Sequence, residues 1–168
     1  MEWYEILIMI LAVILLMSIF FLGFRILRYK NTKKIISNII KEKYPDINLK
    51  MYKQDNIYQF EFETDKRYLI KLLDINPKNE VIITNSEKVV INDDIKGWKR
   101  STKPNFVAGI KEFIKMKNAI KIVLIYPDCH NITKYINESD VFLAAKFQKI
   151  DGLYYIRFGE LIEFLNKQ

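Results

Sequence analysis

The chain has 168 residues, one cysteine and one histidine, and a formal charge of +7. A lone Cys129 excludes a disulfide scaffold, and one histidine beside one cysteine excludes a zinc site built from those ligands. Residues 1–24 carry only Glu2 and Glu5, so residues 25–168 carry +9. That excess suits an anionic partner, either lipid headgroups or nucleic acid, and it also serves solubility. The chain is rich in Lys, Ile and Asn and poor in Arg, the composition of an AT-rich bacterial genome. Asn131-Ile132-Thr133 and Asn137-Glu138-Ser139 match the glycosylation sequon, which such a chain carries by chance.

Residues 6–24 contain no charge. As a helix they measure about 28 Å, close to the thickness of a bilayer's hydrocarbon core. Trp3 and Tyr4 precede the apolar run and Tyr29 follows it, where interfacial aromatics belong. Only acids lie before the run. Arg25, Arg28, Lys30, Lys33 and Lys34 lie after it. The positive-inside rule then predicts residues 1–5 outside, 6–24 across the membrane, a basic juxtamembrane segment over 25–30 and a cytoplasmic domain over 31–168. The bilayer is the first expected partner, with anionic headgroups near 25–34. A cleaved signal peptide fits less well, because the start is acidic, the core long and a small-residue cleavage site missing.

Asn31 and Thr32 offer a cap for a helix ending before Pro45. Ile35, Ile36, Ile39 and Ile40 share a face, opposite Lys34, Asn38 and Lys41. That face is wide enough for core packing; the competing reading lays it on the membrane. Alternating runs then predict strands over 47–52 and 58–63, with turns at Lys53-Gln54-Asp55-Asn56 and Thr64-Asp65-Lys66. Further strands are expected over 67–75, 81–84 and 88–91. The short connections at 76–79 and 85–87 predict antiparallel neighbours throughout. Residues 93–103 read as a polar loop. A helix capped by Ser101 or Thr102 should follow, its stripe formed by Phe106, Val107, Ile110, Phe113 and Ile114. The apolar run 120–126 reads as a central strand buried on both faces. A short helix over 131–138, strands over 141–147 and 153–158 and a closing helix over 159–167 complete an α+β domain.

This order of elements, and the ending Tyr155-Ile156-Arg157-Phe158-Gly159-Glu160-Leu161-Ile162-Glu163-Phe164-Leu165, resembles the restriction-endonuclease-like fold of the PD-(D/E)xK superfamily across residues 31–168. The resemblance implies an acid on one strand and Glu-x-Lys on the next, holding a divalent metal that activates water. Lys71 matches the lysine, but Leu69 stands where the family has an acid, and Glu61, Glu63, Asp65 and Asp74 are mis-spaced. The resemblance therefore implies a copy without an intact metal site.

Two other motifs bear on chemistry. Asp128-Cys129-His130 follows the buried strand, where α/β sheets often face a ligand crevice. A thiol nucleophile needs an oriented base, so a loop thiol beside a solvated histidine is the simpler reading. Trp98, Lys99, Arg100 and Lys103 form the second motif. The tryptophan either stacks on a base while the cations meet phosphate, or plugs the core. No catalytic residue, metal site or cofactor is expected. The reading that follows is a membrane-anchored, non-catalytic interaction module whose partner is nucleic acid or a membrane-associated protein. The alternatives are a metal-dependent nuclease with a rearranged site and a structural subunit of a membrane assembly.

Overall fold

The computed structural model describes residues 3–85, 87–93, 105–136 and 140–168. The chain divides into two compact units, Met1–Ile40 and Lys41–Gln168.

The first unit is helix α1, whose full run is Trp3–Lys43. Its 41 residues make a rod of roughly 60 Å. Glu5 in the first turn and Lys41 and Lys43 in the last complement the helix dipole. The anticipated new start at Asn31 and Thr32 does not occur, because both are interior to α1. Nothing between Phe24 and Asn31 breaks a helix, and an interior Asn or Thr costs only about 0.7 kcal/mol or less. The end before Pro45 is as expected. Of the isoleucine face, Ile36 and Ile40 are buried and Ile35 is exposed.

The second unit runs in chain order through β1 (Lys50–Met51), β2 (Phe60–Glu63), β3 (Arg67–Asp74), β4 (Asn79–Asn85), β5 (Lys88–Asp93), β6 (Asn105–Phe106), α2 (Ile110–Lys115) and β7 (Ile120–Tyr126). After these come β8 (Ile132–Tyr135), β9 (Val141–Leu143), β10 (Lys149–Ile150), β11 (Leu153–Arg157), a 3-10 turn (Phe158–Glu160) and α3 (Leu161–Lys167). The strands form two mixed sheets. The first has the order β1-β2-β3-β7-β11-β10 and the second β6-β5-β4-β8-β9.

The first sheet is built around β7, which pairs in parallel with β3 on one side and β11 on the other. Its apolar run predicted a strand buried on both faces, and Ile122, Val123, Leu124 and Ile125 are all fully buried. One face offers Leu69, Leu73, Val123, Ile125, Leu153 and Tyr155 to a core shared with the second sheet and α2. The opposite face carries Phe60, Phe62, Tyr68, Ile70, Leu124 and Ile156. There Phe62 stacks on Tyr68 at 4.8 Å, and Tyr154 meets Phe164 of α3 at 4.9 Å.

Four sequence expectations are corrected. The segment 76–79 joins two sheets rather than closing a hairpin, so the expected meander is split between β3 and β4. Short loops favour local pairing, but β7 takes the position beside β3 and β4 pairs instead with β5 and β8. Residues 132–135 are strand rather than helix. Ile132 and Ile136 mimic a helical spacing, yet Ile, Thr and Tyr favour a pleated surface, and β8 gains a parallel partner in β4. Phe106 lies in β6 instead of α2, because Gly109 at φ 73° sits in left-handed backbone and the helix starts only after it. Strand β9 stops at Leu143, and a turn containing Phe147 at φ 61° leads into β10.

The second sheet turns Val81, Ile83, Val89 and Ile132 into the shared core. Its other face carries the register row Phe106, Val90, Ile82, Thr133 and Leu143, one residue from each strand. The two ends of that row, Phe106 and Leu143, are exposed.

Candidate functional site

Carboxylates gather at one place in the second unit. Glu61, Glu63 and Asp65 line an open groove of about 650 Å³ with Lys66, Arg67, Asn118, Ala119 and Ile120. Strand pairing explains the gathering. Glu63 lies opposite Arg67 and Glu61 opposite Leu69, so the two glutamates and Arg67 share one face of the sheet. The Arg67 guanidinium reaches diagonally past Glu63 and donates to Glu61 Oε1 from Nε at 2.9 Å and from a terminal nitrogen at 2.7 Å. The other oxygen of Glu61 accepts from the hydroxyls of Tyr52 at 2.6 Å and Tyr58 at 3.2 Å. The two tyrosine rings meet edge to face at 5.1 Å.

Glu61 is therefore a saturated carboxylate. The Tyr52 hydroxyl, helped by Arg67, holds its carboxyl below the usual range against the opposing effect of burial. The same hydrogen bond pushes the Tyr52 phenol up. Four donated hydrogen bonds leave this side chain little capacity to bind a metal or activate water. Tyr52, Tyr58 and Arg67 were not singled out from sequence as partners of Glu61. The available signal was the alternation of Tyr58, Phe60 and Phe62 with Glu61 and Glu63, which sets the face but not the diagonal reach.

Lys71 shares that sheet face but not the groove. It is 7% exposed, and its Nζ donates to the Ile57 carbonyl at 3.0 Å. Burial lowers its pKa, partly offset by the charge of Glu112. A Cβ on Gly109 would lie 3.4 Å from that nitrogen, in ordinary contact, so it is the backbone at φ 73° that calls for glycine there. Asp74 sits at the far end of β3, facing the opposite side of the sheet. The five residues that the nuclease chemistry would need therefore do not converge: Glu61, Glu63 and Asp65 share the groove, while Lys71 and Asp74 stand apart. Among the described residues, no group of three His, Cys, Asp or Glu side chains is placed to hold a metal ion.

At the end of β7, Cys129 is buried and His130 is exposed. Burial pushes the thiol up, with Arg157 opposing. Asp128 Oδ1 accepts from the Gly159 amide at 3.2 Å and ties this loop to the turn after β11. A buried, neutral thiol beside a solvent-facing imidazole has no oriented base.

Arg25, Arg28, Lys30, Lys33 and Lys34 all lie on α1. Lys33 Nζ lies 5.9 Å from the Tyr29 ring centre. Trp98, Lys99, Arg100 and Lys103, the expected nucleic-acid or partner contact, lie outside the described residues. Among the described residues, α1 is the one helix long and apolar enough to cross a membrane.

No family model, no curated protein and no solved structure matches the chain.

Proposed function

We propose that this chain is a single-pass membrane protein whose basic C-terminal unit works in the cytoplasm as a non-catalytic interaction module. The observation that carries the reading is the surface of α1. From Trp3 to Leu27 its large apolar side chains are exposed, among them Leu16, Phe20 and Leu27 at 60% or more. Water does not tolerate such a surface, and a bilayer satisfies both it and the closed helical backbone. The five cations from Arg25 to Lys34 support the cytoplasmic side and contact with anionic headgroups. The module reading draws on the groove, where the one carboxylate with an elaborate environment is fully occupied by Tyr52, Tyr58 and Arg67. Nucleic acid and a membrane-associated protein remain its candidate partners, the first through the basic charge of the unit.

Two measurements test the reading. The full chain should stay with membranes through alkaline carbonate washing, and a reporter fused after Gln168 should be active only in the cytoplasm. Release by carbonate, or reporter activity outside, overturns it.

The second reading is a metal-dependent nuclease with a rearranged site, and the resemblance to restriction-endonuclease-like domains belongs to it. One observation favours it, the shared groove of Glu61, Glu63 and Asp65. Metal-dependent cleavage of DNA or RNA that disappears in Glu63→Gln or Asp65→Asn would promote it over the module.

A further inference from the structure

We draw no further inference here: the strongest candidate, the outer face of the second sheet where Phe106, Tyr135, Val141 and Leu143 are exposed, is an apolar surface, and nothing in the structure shows what covers it.

Discussion

The two sheets of the second unit use similar residues to different ends. The first buries both faces around a parallel core of β3, β7 and β11, with α3 covering part of one face and the second sheet on the other. The second buries one face and leaves Phe106 and Leu143 open at the ends of its other. An apolar side chain on the first sheet is therefore a packing element, while the same kind of side chain on the outer face of the second is available to a partner.

The sharpest way to break that contrast is in the middle of β7. Leu124→Ala removes a fully buried side chain and should cost about 2–5 kcal/mol, read as a lower denaturant midpoint of the solubilised full chain. A loss below about 1 kcal/mol would mean that apolar side chains of the first sheet are not packing elements. Next comes the polar network at its edge. Glu61→Gln should cost about 1–2 kcal/mol, since Arg67 and two hydroxyls lose a charged acceptor, discounted for the exposure of Arg67. The wild-type advantage has a defined pH window. The folded Glu61 carboxyl lies below its free value, so its contribution is present above that value and is lost as pH falls through the folded one. Thermal midpoints of the two proteins should converge in acid.

Lys71 should behave in the opposite sense. Its folded pKa is lowered from 10.5 by burial, so the fold carries a penalty at neutral pH that fades as pH rises toward 10.5. Lys71→Met removes the charge but strands the Ile57 carbonyl, and the two effects nearly offset. The variant should lie within about 1 kcal/mol of wild type at pH 7, and wild type should gain on it in alkali. Smallest of all, Leu143→Ser should change the stability of the solubilised chain by less than about 0.5 kcal/mol. A large loss there would show that the outer face of the second sheet is covered after all.

Sequence was a good guide where one physical effect dominated. The charge-free run before Arg25 identified the long apolar helix, and the apolar run Ile122 to Tyr126 identified the central strand, because burial on both faces leaves no polar position between Lys121 and Tyr126. It misled where two effects competed. Helix continuity through Asn31 and Thr32 was hidden because both residues also suit a cap. The strand at 132–135 was hidden because Ile132 and Ile136 happen to fit a helical stripe, while the partner that decides the matter, β4, is about 50 residues away. At the groove, the carboxylates were legible as a set, but their fate was not. Whether Glu61 is free or saturated depends on Tyr52, Tyr58 and a diagonal arginine, and strand alternation alone does not encode that.

The parallel pairing of β3 with β7 has a consequence for how the chain folds. Tyr68 meets Ile120 only after roughly fifty intervening residues, which include β4, β5, β6 and α2. The β4–β5 hairpin needs no such closure and can form within microseconds, as local hairpins do. The first sheet has to wait for a long loop to close and for β11 to arrive from near the C-terminal end. Until then β3 exposes apolar edges on a chain emerging from the ribosome. A variant that slows closure, such as one weakening β7, should therefore show its defect first as aggregation of newly made chains, before any loss is visible in the finished protein.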